Sequence, residues 1–224
     1  MNLKIDMHIH TMYSGDSAIK PSEAIRYAKK IGLDGIAICD HGTFKVHKVL
    51  QKRYHDTQVI IIPAMEIVTH IGEVIALFID KEIDIQDKDF FTIVDKIKDN
   101  NGLIIIPHPF DFLRKTHIKV NLLNKRVIEQ YIDGIEIMNS RIIFKNCIKQ
   151  AQDFNKKYNL FEVGGSDAHF VKEIGNGYTI VRDCDKTEES IKESLIKNKS
   201  VSKGRLSSPL VHLKTKLFKL RKLI

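Results

Sequence analysis

The chain has 224 residues, of which 43% are hydrophobic and 29% charged. That is enough for one α/β domain with a well-filled core, and no apolar run reaches the roughly 18 residues of a membrane span. The formal net charge of +8 is uneven: nine Lys or Arg and no Asp or Glu lie from Lys197 onward, so the body is near neutral and offers no general nucleic-acid face. Cys39, Cys147 and Cys184 are widely spaced without a Cys-x-x-Cys pair, which suits reduced thiols. With no charged-then-apolar leader at Met1, the expected location is cytoplasmic.

The first apolar run, Leu3 to Ile9, reads as a strand, and Pro21-Ser22-Glu23 opens a helix with Ala24, Ile25, Ala28 and Ile31 on one face before Gly32. A second strand covers 34–40, a weaker helix 44–55 and a third strand 58–66. Thr69-His70-Ile71-Gly72 reads as a turn into a fourth strand at 73–79, forming a hairpin. Helix 89–100 ends at Asn101-Gly102, and strand 103–107 follows. A basic loop, helix 121–131, strand 132–138 and helix 141–158 come next. Strand 160–165, a short strand at 178–181 and helix 187–198 precede the tail. Alternating strands and helices imply a mainly parallel sheet.

Five apolar runs end in metal-ligand chemistry. The first gives Asp6-Met7-His8-Ile9-His10, where alternation along a strand puts both imidazoles on one face, roughly 6–7 Å apart. The others end in Asp40-His41, Glu66, Pro107-His108 and Gly165-Ser166-Asp167-Ala168-His169. In a barrel of parallel strands, all such ends meet at one face, where these barrels place their active sites. Mixed imidazole and carboxylate donors suit zinc, manganese or iron better than calcium. A lone histidine at a strand end is ordinarily a hydrogen-bonded structural residue, and His47, His55, His117 and His212 are read that way. Asp6 and Asp40 are expected either to orient the imidazoles or to cap backbone.

These motifs, with Asp16 and in this order, make residues 1–182 resemble the PHP domain (polymerase and histidinol phosphatase) family of metal-dependent phosphoesterases. The resemblance implies a distorted seven-stranded β/α barrel with two or three divalent ions at the strand ends. It places one ion on His8, His10, Glu66 and Asp167. Glu66 bridges to a second on His108, and a third rests on Asp16, His41 and His169. Where the family often has a histidine after the hairpin glycine, this chain has Glu73. Glu73 is assigned to the second ion in preference to His70 at the hairpin tip.

Such a centre would lower the pKa of a bridging water, and the hydroxide would attack phosphorus in line. Asp167 or His169 is placed to serve the leaving oxygen, with Arg114 and Arg141 placed to bind phosphate as forked donors. The expected activity is hydrolysis of a small phosphomonoester or nucleotide-like phosphate. The alternatives are an exonuclease on oligonucleotide ends or a metal-binding regulatory module. The domain is assigned to residues 1–200 and a basic amphipathic tail to 201–224. Leu213, Leu217, Leu220 and Ile224 form the tail helix's apolar stripe, with basic residues between. That stripe is expected to pack on the barrel, with contact to nucleic acid, anionic membrane or a partner protein as the sharper readings. No oligomeric state follows from the sequence.

Overall fold

The computed structural model describes residues 1–53 and 58–222, so His55 and Ile224 lie outside the described residues. One sheet runs through it: β1 (Leu3–Ile9), β2 (Gly35–Ile38), β3 (Ile60–Thr69), β4 (Gly72–Leu77), β5 (Leu103–Ile106), β6 (Gly134–Asn139), β7 (Phe161–Gly165), β8 (Gly177–Val181) and β9 (Ser200–Gly204). The order across it is β7-β6-β5-β4-β3-β2-β1-β8-β9. The sheet curls until the end of β7 meets β1: the Asp167 N–H donates to the His8 carbonyl at 2.7 Å and the His10 N–H to the Ala168 carbonyl at 3.0 Å. A side chain at Gly165 would prevent that approach, since its Cβ would lie 2.3 Å from the Cβ of His8.

Among the described residues nine strands replace the expected seven. The strand read at 178–181 is β8, which runs antiparallel to β1, and β9 adds antiparallel to β8. Ser200–Gly204 carries one apolar residue among polar ones, so it lacks the alternation that marks a strand, and the sequence places 201–204 in the tail. The sheet is also less parallel than expected. The β1–β2, β2–β3, β5–β6 and β6–β7 pairs are parallel. The β1–β8, β3–β4, β4–β5 and β8–β9 pairs are antiparallel. The tight β3–β4 hairpin has a useful consequence: the amino end of β4 shares a rim with the carboxyl ends of its neighbours.

Among the described residues seven α-helices accompany the sheet: α1 (Pro21–Lys30), α2 (Lys45–Arg53), α3 (Phe90–Lys98), α4 (Lys125–Tyr131), α5 (Lys145–Tyr158), α6 (Glu188–Ile196) and α7 (Leu210–Lys222). Local signals fix their starts: Pro21 sits in the first turn of α1, and Asp89, Asn124 and Thr187 accept backbone N–H groups at the starts of α3, α4 and α6. Outside the barrel, Phe90, Ile93, Val94 and Ile97 pack against Ile104 and Ile106. Inside it, Leu3, Ile5 and Met7 meet Ala37, Ile62, Ile75, Ile105 and Val163, all buried. Ile191 and Leu195 of α6 join Leu3, Leu103 and Phe161, closing the end where those strands begin. The opposite rim is left for chemistry. All three cysteines are buried and free.

Candidate metal centre

A bulge in β1 aims the first ligands. Its pairing with β2 slips between Asp6 and Ile9, so Met7 fills the apolar interior while His8 and His10 both face the rim above it. The Nε2 atoms of His8 and His10 lie 3.0 Å apart. Glu66 Oε2 is 3.6 Å from the first and 3.3 Å from the second, and Asp167 Oδ1 is 3.9 and 3.4 Å from them. Donor atoms held about 2.1 Å from one ion are about 3.0–3.4 Å apart in octahedral or tetrahedral geometry. These four atoms therefore surround a cation-sized point.

The other expected ligands extend this group. His108 Nε2 lies 3.2 Å from Glu66 Oε1 and 3.7 Å from Glu73 Oε2, so Glu66 turns one oxygen to each side. His70 is far more exposed, and its Nδ1 accepts the Phe90 N–H at the start of α3. Asp16 Oδ2 stands 3.5 Å from His41 Nε2 and 3.4 Å from His169 Nε2. His41 also places Nδ1 3.1 Å from Glu66 Oε2, the oxygen turned toward His8 and His10, and so touches the first group as well as the third. The closely set triads are His8-His10-Glu66, His41-Glu66-Glu73 and His10-His41-His169.

The buried oxygens support a cationic occupant. Glu66 Oε2, Glu73 Oε2, Asp16 Oδ1 and Asp167 Oδ1 are buried without a hydrogen-bond partner. Unsatisfied buried acceptors cost about 1–3 kcal/mol each, more when charged. Four facing one bowl fit divalent ions held by mixed imidazole and carboxylate donors. Two ligands also sit at positive φ, His108 at 31° and Asp167 at 54°, backbone strain that the surrounding packing enforces.

The electrostatics agree. Burial opposes ionisation of Asp167, but Arg114 and His8 outweigh it and hold the carboxyl well below its ordinary range. Glu66 behaves alike, with His8 and His41 overcoming its burial. Glu73 is pushed up by burial and by the charge of Glu66. His169 falls to about 4 through burial and its neighbour His10.

A supporting layer holds the ligands. His8 Nδ1 meets Glu136 Oε1 at 3.1 Å, while Glu136 Oε2 accepts the His108 N–H at 2.8 Å and the Asn139 amide at 3.0 Å. The sequence reading did not single out Glu136. A second bulge, between Glu136 and Met138, turns both Glu136 and Asn139 inward. Asp40 acts on His10 through Ser14, whose Oγ is 3.0 Å from Asp40 and 2.9 Å from His10 Nδ1. Asp6 touches no imidazole nitrogen among the described residues. It accepts the backbone N–H groups of Ser166, Gly175 and His8, and burial pushes its pKa up to about 7.

Arg114 donates through Nε to Asp111 and through Nη2 to Asp167 Oδ2, at the edge of the bowl. Arg141 lines the cavity, but its Nε and Nη2 are engaged by the protein itself. It is buried against Glu173 at 3.1 Å and donates to the Val211 carbonyl and Thr215 Oγ1 of α7. Thus α7 becomes a wall of the site, and Lys219 Nζ reaches Asp16 Oδ2 at 3.0 Å. The stripe expected to pack on the barrel faces outward: Leu213, Leu217 and Leu220 are exposed, while Val211 and Thr215 are buried. His47 and His212 bond backbone carbonyls, and so does His117.

A curled α/β sheet with a bowl of imidazoles and carboxylates at one rim defines a barrel protein with a candidate multinuclear metal centre. The chain belongs to the PHP domain family: that family's model matches residues 6–143, and the PHP-associated model matches 148–200. Two uncharacterised proteins of Methanocaldococcus jannaschii are similar. One is 32% identical over 177 residues, covering 79% of this chain and 69% of the relative; the other is 34% identical over 148 residues, covering 62% and 82%. Among solved structures, a two-domain protein from Bacteroides vulgatus containing a predicted PHP-like metal-dependent phosphoesterase superposes with a TM-score of 0.75 at 20% identity, over 98% of this chain and 70% of that one. PsfC from Pseudomonas syringae gives 0.70 at 14% identity, over 100% and 99%. At these identities the likeness is one of fold.

Proposed function

We propose that this protein is a metal-dependent hydrolase of small phosphomonoesters or nucleotide-like phosphates. The observation that carries the reading is the convergence of His8, His10, Glu66 and Asp167 on one point, extended by His41, His108, Glu73, Asp16 and His169, beneath a cavity of about 670 Å³. Divalent ions held there would supply Lewis acidity toward phosphoryl oxygens and an activated water. The chain's own side chains do the rest. Arg114 and Lys219 both line the cavity and offer cationic donors to a phosphate. His169 Nδ1 donates to the Asp167 carbonyl at 2.8 Å, which leaves Nε2 as a lone pair toward the cavity, able to ligate or accept a proton but not to donate one. Asp167 has Oδ2 engaged by Arg114 and Asn139, so its part is to hold and orient.

The cavity's size supports a small substrate over a polymer, since α7 walls it with Thr215, His212 and Lys219. The test is a turnover screen of phosphorylated metabolites and short oligonucleotides with manganese, zinc or iron. A small phosphoester should be the best substrate, and His108→Ala and Asp167→Asn should each lower its turnover about a hundredfold or more with the fold retained. Preference for oligonucleotide ends would establish the nuclease reading instead. Wild-type turnover in both variants would remove the assigned centre.

A further inference from the structure

The inner face of α7 is committed to the cavity, yet its outer face is the more apolar one. Leu210, Leu213, Leu217 and Leu220 are exposed by 63%, 54%, 49% and 51%. Their spacing of three, four and three residues lines them along one side of about 3.6 turns. Lys214 and Arg221 flank the stripe on one edge and Lys216 on the other, all exposed and without an ion pair among the described residues. From Lys197 onward there is no acidic residue at all. A stripe of four solvent-facing leucines edged by cations is costly to leave in water.

We propose that the outer face of α7 docks on an anionic lipid surface, lying in the interface with its leucines in the acyl boundary and its lysines and Arg221 among the headgroups. Two observations select this occupant. The leucine spacing matches a helix-pairing seam, but two copies would set Lys214, Lys216 and Arg221 against one another, and like charges at these flanking positions repel. Further apolar surface lies at the same end of the barrel. Phe112 and Phe144, from the loops after β5 and β6, stack at 5.2 Å, with Phe112 exposed by 62%. An apolar stripe with cationic edges complements a bilayer interface better than a narrow groove. A nucleic acid would answer the charge but leave the leucines in water.

The experiment is cosedimentation of the full chain with vesicles of phosphatidylcholine alone and of phosphatidylcholine with about a third phosphatidylserine. Binding is expected to the anionic vesicles only, weakening as salt rises. The double substitution Leu213→Gln and Leu217→Gln should weaken it about tenfold or more, as should Lys214→Gln with Lys216→Gln. Because all four side chains are exposed, the melting temperature should stay unchanged, which separates lost docking from lost folding. Absence of binding to anionic vesicles overturns the proposal. So does equal binding by the leucine variant, which would reduce the effect to charge adhesion. A wild-type dimer that the leucine variant converts to a monomer, with vesicle binding unaltered, would instead assign the face to a second copy. Tighter, leucine-dependent capture of an acidic peptide than of vesicles would assign it to a protein partner.

Discussion

His8 is fixed at both ring nitrogens, Nε2 turned to the ligand group and Nδ1 to Glu136 at 3.1 Å. A carboxylate behind a ligating imidazole fixes its tautomer and raises its basicity. Glu136→Gln keeps the shape and removes the charge, so metal affinity should fall about 10- to 100-fold in chelator competition while the fold persists. An unchanged affinity would make Glu136 merely a backbone acceptor for His108. This residue was hard to see in the sequence, because it sits inside an apolar strand instead of at its end. The only signal is a charge between Ile135 and Ile137 in a fully buried run. His47 is the opposite case, a histidine read as structural and found so: 3% exposed, with Nε2 3.0 Å from the Ile38 carbonyl. Burial lowers its pKa, so the folded protein holds it neutral. Below the ordinary histidine pKa of about 6.5 the unfolded chain binds a proton that the native one refuses, and stability therefore falls as pH falls through that region. His47→Gln should flatten this dependence in melting curves taken between about pH 7 and 5; an identical slope in the variant would exclude His47 as its source.

At the scale of elements, the departures from expectation share one cause: a chain segment packs by the contacts it completes, not by its average polarity. α7 carries four leucines, yet its buried face is Val211 and Thr215, because Arg141 donates to the Val211 carbonyl and Thr215 Oγ1 while His212 meets the Arg141 carbonyl at 2.8 Å. Such a clamp joins residues some 70 positions apart and leaves no periodic mark. It also reaches the centre, since Glu173 holds Arg141 with one oxygen and the His169 N–H with the other at 3.1 Å. Arg141→Met should accordingly cost about 3–5 kcal/mol by stranding buried Glu173. Amide exchange should accelerate in α7 and at His169 ahead of the far side of the barrel. Uniform exchange with little loss of stability would mean that α7 rests on apolar contact alone. β9 was obscure for a related reason, because its pairing with β8 is backbone-made and its side chains carry no pattern.

For the whole molecule, the legible part is what recurs: apolar runs ending in candidate ligands foretold a barrel with those residues gathered at one rim, and the observed rim carries them. What the runs did not announce is where the sheet closes. The seam lies between β1 and the segment after β7, and the candidate ligands straddle it, His8 and His10 on one side and Asp167 and His169 on the other. Ions bound there would tie the seam directly, while without them one buried oxygen each of Glu66, Glu73, Asp16 and Asp167 has no hydrogen-bond partner. Binding to the native state alone stabilises by RT ln(1 + [L]/Kd), about 2.7 kcal/mol at a hundredfold excess over Kd. At about 2–4 °C per kcal/mol for a chain of this size, metal loading should raise the melting temperature by roughly 5–10 °C, and chelation should reverse it. The location of the effect discriminates further. Exchange at the Asp167 and His10 amides, whose hydrogen bonds make the seam, should slow with metal more than exchange in α3, which carries no candidate ligand. If melting is indifferent to excess manganese, zinc and iron, these residues form a polar network and not a metal centre. If the melting temperature rises while seam exchange does not change, the ions bind elsewhere on the chain.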